Sequence, residues 1–198
     1  MKHFALSLFV GALLLIFPIG APPTANAATT QVGCDTADLV AAINNANLAV
    51  TTPTLDLPDG CLYPLKDIDN AGYRGDNGLP QIARDMIING HGATIQRQTF
   101  VATTSAANSF VPQAQGPEFR VFQVNQGATL TLNNITLRNG LVNELPENEK
   151  GGTILVLGTL NLSDSAIHNG IAGCGGGIWS EGTLTIVNTT FANNIGDN

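Results

Sequence analysis

The chain has 198 residues, with 8 Lys and Arg against 15 Asp and Glu, a formal charge of −7. That acidic balance argues against nucleic acid and anionic membrane surfaces as partners, because both carry negative charge themselves. With 12 % of residues charged, solubility must rest on neutral polar side chains, which disfavours long charged helices.

Residues 1–27 read as an export signal. Lys2 and His3 form a short basic start, Phe4 to Phe17 an apolar core, and Ala25-Asn26-Ala27 a small-residue cleavage site. The apolar run falls short of the roughly 20 residues that span a bilayer. Cleavage after Ala27, no membrane span afterwards, and a secreted or cell-surface location are the expectation; a retained anchor is the competing reading. Loss of Lys2 takes the charge from −7 to −8, and 198 − 27 leaves 171 residues, enough for one domain with a sizeable core.

Residues 28–78 are expected to form an N-terminal cap with the first strands. Asp35 is placed to cap a helix over about 36–47, with Leu39, Ala42, Ile43 and Ala46 at helical spacing on one face. Thr54-Leu55-Asp56-Leu57 reads as a short strand stopped by Pro58-Asp59-Gly60, and Tyr63 to Leu65 as a further one. Cys34 precedes the helix and Cys61 follows the first strand. A bridge between them would tie the N-terminal segment down and contribute about 2–4 kcal/mol; two buried free thiols are the alternative. Cys174 is left over in a Gly-rich turn. That turn, Gly173 to Gly177, lacks the Lys-Ser/Thr pair and the following helix of a phosphate loop.

From Leu79 onward short strands dominate. Met86-Ile87-Ile88 and Ala93-Thr94-Ile95 are separated by Asn89-Gly90-His91-Gly92, a tight turn by composition, and Thr99 to Pro117 reads as an exposed insertion. Beyond Phe122 the chain repeats. Ile154 falls on Ile178, Gly158 on Gly182, Leu160 on Leu184, Ile167 on Phe191 and Asn169 on Asn193, a period of 24 residues. A copy at Val124 to Gly140 aligns at an offset of 30, its six extra residues lying around Leu141–Lys150. Such periods mean stacked units that bury apolar faces against their neighbours. Each unit holds three short extended pieces and no room for a helix, which disfavours leucine-rich repeats. It is also too short for the roughly 40–45 residues of a propeller blade.

A parallel β-helix fits best, its coils stacked about 4.8 Å apart. Leu130/Leu160/Leu184, Leu132/Leu162/Ile186 and Leu137/Ile167/Phe191 then form apolar columns, and Asn139/Asn169/Asn193 a stacked corner. The glycine pairs before Ile154 and Ile178 would relieve a crowded corner or take positive φ. Coils are assigned to residues 79–198, open at the C-terminal end, so end-to-end association or a longer parent protein is expected.

Gly-Gly-x-Ile at 151–154 and 175–178, with Phe191-Ala192-Asn193-Asn194, resembles the GGA[ILV]/FxxN repeats of polymorphic outer-membrane proteins. It is also similar to related bacterial exported right-handed β-helices of the pectate-lyase-like superfold. Phe191 alone occupies the family's Phe position, with Leu137 and Ile167 in the other copies. The resemblance implies an all-β, right-handed, single-stranded solenoid capped by a helix. It leaves function open, because the superfold hosts adhesins and polysaccharide lyases or hydrolases alike.

Catalysis would require grouped acids or a base beside charge-neutralising groups. Asp164 aligns with Asn134 and Asn188, and Glu181 with Leu157 and Gly127, so no acidic column forms. Glu144, Glu147 and Glu149 read as a solvated acidic loop, with calcium the competing reading. Arg138 and His168 share an outward column and, with Trp179 nearby in sequence, are the candidate contacts to sugar or carboxylate. The expectation is a secreted or cell-surface adhesin-like binder or display protein, without catalysis, cofactor or metal. A polysaccharide or a cell-surface protein would be its partner. A polysaccharide lyase or glycoside hydrolase is the alternative.

Overall fold

The computed structural model describes residues 28–99, 116–142 and 150–196. The expected export signal and cleavage site, most of the stretch Thr99–Pro117 read as an insertion, and Glu144, Glu147 and Glu149 lie outside the described residues. What is described is mostly β structure in parallel sheets, with one helix. None of its helices is long and apolar enough to cross a membrane.

Strand β1 (Thr29–Gln31) leads into helix α1 (Thr36–Leu48). Asp35, in extended backbone, accepts the Ala37 N–H at 2.7 Å and so satisfies one of the helix's orphan donors. Leu39, Ala42, Ile43 and Ala46 lie buried along one face. The helix is fixed at both ends. At its start Cys34 is disulfide-bonded to Cys61, Thr36 Oγ1 donates to the Pro64 carbonyl, and Tyr63 Oη donates to the Gly33 carbonyl. At its end Asn47 donates to the Gln81 carbonyl and accepts from the Ala83 N–H. The disulfide alternative among the sequence readings is the one observed.

A nine-stranded sheet carries most of the remaining chain. β2 (Thr54–Asp56) and β3 (Leu62–Leu65) both pair in parallel with β4 (Met86–Arg97), and β4 pairs with β6 (Thr129–Arg138). β6 pairs in turn with β9 (Thr159–Ser163) and β10 (Ala166–His168), and these with β13 (Thr183–Val187) and β14 (Thr190–Ala192). Two three-stranded parallel sheets complete the fold. One contains β5 (Phe122–Val124), β8 (Ile154–Val156) and β12 (Ile178–Ser180); the other contains β7 (Leu141–Val142), β11 (Ile171–Ala172) and β15 (Ile195–Gly196).

The registers reproduce the three sequence columns and lengthen them. Leu130, Leu160 and Leu184 are in register with Met86. Leu132, Leu162 and Ile186 continue to Ile88 and Leu55. Leu137, Ile167 and Phe191 continue to Ile95 and Tyr63. All the members before β13 are at most 1 % exposed and belong to one continuous apolar cluster that also contains the buried face of α1.

Polar ladders run along the outer surface. Gln31 donates to Asp56, Asn89 to Asp56, Asn133 to Asn89, and Ser163 to Asn133, at 2.7 to 3.1 Å. Asn139, Asn169 and Asn193 all have positive φ (62°, 55° and 56°), and Asn169 donates to Asn139. Short polar side chains tolerate this left-handed conformation better than most. A second such corner is formed by Asn134, Asp164 and Asn188, with φ of 49°, 50° and 46°. The Asn89–Gly92 turn belongs to this corner. There β4 bulges between Asn89 and Ala93, with His91 and Gly92 at positive φ, instead of reversing direction. Both readings of the glycine pairs apply: Gly151 and Gly175 have φ of 71° and 63°, while a side chain on Gly152 would strike the Gly176 and Ile171 carbonyls.

Candidate functional site

Arg138 and His168 are direct register partners, in a row that runs from Pro64 through Gln96 to Ala192. Arg138 is exposed and His168 half-buried. The sequence column is therefore a real juxtaposition. Trp179 does not stand in the same sheet. It lies on β12, where it pairs in register with Leu155 and makes its polar contacts to Lys150 and Glu181.

The surroundings of Trp179 are richer. Gln126, Leu157 and Glu181 follow the ends of β5, β8 and β12, strands that pair in register, so the repeat brings them together on one edge. Tyr73 closes the other side, and the four residues line a surface groove of about 310 Å³. Tyr73 comes from the segment between β3 and β4, which no repeat register predicts.

Arg120 explains why that segment is there. It is fully buried, and its guanidinium donates to the carbonyls of Tyr73 (2.9 Å) and Arg74 and to Gln123 Oε1 (3.2 Å). Gln123 Oε1 also accepts the Tyr73 N–H at 2.9 Å, and Gln123 Nε2 donates to Asn125. Gln123 is an outward residue of β5 yet 3 % exposed, because this segment covers it. Gly72 and Gly75 permit the approach: an added Cβ would meet the Gln123 amide oxygen at 2.7 Å or the Arg120 guanidinium at 2.7 Å. Breaking such a buried network leaves polar groups unsatisfied, at about 1–3 kcal/mol each.

The rim is aromatic and charged. The Arg74 guanidinium lies 4.8 Å from the Tyr73 ring centroid, and Lys150 Nζ lies 3.8 Å from that of Trp179. Trp179 Nε1 donates to Glu181 Oε1 at 3.2 Å, orienting the carboxylate. Contact with the Tyr73 side chain, helped by the negative charge of Glu181, pushes the Arg74 guanidinium above its ordinary value. Tyr73 keeps 47 % of its surface exposed, leaving ring area for a ligand.

Chemically, this edge offers two aromatic rings, an apolar floor at Leu157, a carboxylate acceptor and an amide that both donates and accepts. One carboxylate lines the groove among the described residues, whereas glycoside hydrolysis ordinarily takes two. The arrangement suits binding of a polyhydroxylated ligand. A larger depression of about 570 Å³ runs beside α1, but its lining includes Asp35 and Thr36, already engaged in fixing the helix. Near Arg138, a hollow of about 430 Å³ is lined by Arg97, Glu118, Asn139 and Asn169. Burial pushes the Arg97 guanidinium below its ordinary value, against the opposing charge of Glu118, and its Nε holds the Asn139 carbonyl at 2.8 Å. That hollow supports the asparagine corner. No group of three or more His, Cys, Asp or Glu side chains placed to hold a metal occurs among the described residues.

Comparison with protein-family models, with curated proteins and with solved structures finds no match to this chain.

Proposed function

We propose that this chain is a secreted or cell-surface right-handed parallel β-helix that binds polysaccharide on its side wall and does no chemistry on it. The groove of Tyr73, Gln126, Leu157 and Glu181, with Trp179 on its rim, carries this reading. Apolar ring faces stack on the C–H faces of a sugar while a few fixed polar groups select its hydroxyls, the usual division of labour in small-ligand sites. The solenoid assignment draws support from parallel registers repeated over successive units. The secreted assignment draws support from the Cys34–Cys61 disulfide, a bond typical of oxidising compartments.

Trp179 is the single tryptophan of the sequence and donates to Glu181, which lines the groove, so its fluorescence reports on a ligand that disturbs that carboxylate. Titration with pectin, alginate, glycosaminoglycan and neutral glucan oligosaccharides should give a saturable change for at least one class. Tyr73→Ala should weaken that binding about tenfold, the effect of losing about 1.4 kcal/mol. A fluorescence signal unmoved by every saccharide, or binding indifferent to Tyr73→Ala, would overturn the reading. Release of unsaturated products from any of these polymers, abolished by Arg138→Ala or His168→Ala, would replace it with a lyase.

A further inference from the structure

Extending the registers of β2, β4, β6, β9 and β13 back beyond the strand starts puts Val50, Ala83, Gly127, Leu157 and Glu181 in one column. The last two line the Tyr73 groove. The first three line a separate hollow of about 490 Å³, walled also by Thr52, Arg84 and Asp85. The two hollows therefore follow one another along a single corner of the stack, and they adjoin at the Gln126–Gly127 turn, which gives one residue to each. The turn is open: a Cβ added to Gly127 would meet nothing within 4 Å. From Val50 to Glu181 the column climbs four layer steps of about 4.8 Å, roughly 19 Å in all.

The side chains of this hollow are uncommitted. Arg84 is exposed and makes no hydrogen bond, ion pair or ring contact among the described residues. Asp85 is exposed too, and its Oδ1 is steadied by the Thr129 N–H at 2.7 Å. Val50 is 97 % exposed, the most of any large hydrophobic residue described. The wall beside them is fixed, because Asn47 donates to the Gln81 carbonyl and accepts from the Ala83 N–H. An apolar platform next to a carboxylate and a donor fork offers the same chemistry to a sugar as Leu157, Glu181 and Gln126 do. We propose that this hollow is a second subsite for the same polysaccharide chain, which lies along the stacking direction with one stretch against Tyr73 and Leu157 and the next against Val50 and Arg84. The inference rests on the saccharide reading of the Tyr73 groove and adds to it the direction of the bound chain and a need for length. Once the first stretch is held, the second contact is intramolecular, so a long chain gains affinity without any contact becoming stronger.

A Trp179 fluorescence titration with size series of pectin, alginate, glycosaminoglycan and neutral glucan oligosaccharides, from disaccharide to decasaccharide, tests this. For the class that binds, affinity should rise with length more steeply than the number of units alone provides, and level off once both hollows are filled. Arg84→Ala and Val50→Ser each alter an exposed side chain, so the fold should be unchanged in far-UV circular dichroism. Each should weaken decasaccharide binding about tenfold and leave disaccharide binding at the Tyr73 groove as it is. Affinity that grows only in proportion to the number of units overturns the second subsite, as does decasaccharide binding indifferent to both substitutions. Either result leaves Tyr73-dependent disaccharide binding, and with it the reading of the groove, intact. A Trp179 signal unmoved at every length removes that reading and this inference together.

Discussion

At the α1 end of the molecule Leu55, Leu57, Tyr63 and Leu65 are 2 % exposed or less, while at the β13–β15 end Leu184, Ile186, Phe191 and Ile195 are between 37 % and 54 % exposed. Both ends consist of short parallel strands with inward aliphatic and aromatic side chains, and some of these residues even share a column. The difference lies in what stands above them. At one end four side chains of α1 and a disulfide supply the missing neighbour; at the other, the described residues supply none. In a stack, then, the burial of a side chain is a property of the adjacent layer rather than of its own strand, as the quasi-one-dimensional energetics of repeat proteins require.

The sharpest way to break that contrast is to make one truncation at two levels of a single column. Leu160→Ala removes a side chain that is 0 % exposed, with layers on both sides, and should cost about 2–5 kcal/mol. Leu184→Ala, the same change one layer on at a side chain 37 % exposed, should cost about 1 kcal/mol or less. Urea unfolding of the two variants compares them directly. Equal losses would mean that the two layers are equally supported, and the contrast would fall.

The second test strips the covered end of its tether. Replacing both Cys34 and Cys61 by Ser should lower stability by about 2–4 kcal/mol. It should also raise amide exchange in α1 and β3 before β9 and β10 are affected. A loss spread evenly over all layers would mean that helix and stack unfold as one unit, and that α1 is no separable lid.

Much of this architecture is legible in the sequence, because stacked units must repeat their chemistry. The 24-residue period aligns Leu160 with Leu184 and Asn169 with Asn193, and the structure pairs the first and gives the second matching backbone. Helix α1 announces itself through Asp35 and its four apolar positions. What stays hidden is whatever breaks the period. Ile88 is the register partner of Leu132, 44 residues on (132 − 88 = 44), so neither the 24-residue period nor the offset of 30 detects the earlier layers. The corner of Asn134, Asp164 and Asn188 is visible as an alignment, but its positive φ is not, since Asp164 reads first as an acid and only then as a turn former. The groove is half legible: Glu181 and Leu157 align in sequence, whereas Tyr73 reaches them through the buried Arg120, a contact that leaves no periodic trace.

The smallest effect concerns acid, and it too separates the two ends. Gln31, Asp56, Asn89, Asn133 and Ser163 form a hydrogen-bonded row across five strands, and the next register position is Val187, 57 % exposed. The row therefore starts with a carboxylate's partners at the α1 end and, among the described residues, stops at the apolar Val187 of β13. The hydrogen bond from Asn89 holds the Asp56 carboxyl below its ordinary 3.8, with weaker help from Gln31 and from His91 at 3.6 Å, while partial burial opposes them. A carboxyl whose folded pKa is depressed stabilises the fold above its unfolded value and loses that contribution as pH falls through the folded one. Stability at the covered end should accordingly decline as the solution is acidified below about pH 3.8. Asn89→Leu should move the Asp56 carboxyl back up in a carbon-detected NMR titration, and Asp56→Asn should flatten its share of the acid limb. An acid limb identical in wild type and Asp56→Asn would show that this row orders the outer surface without contributing pH-dependent stability. The contrast between the two ends would then rest on apolar burial alone.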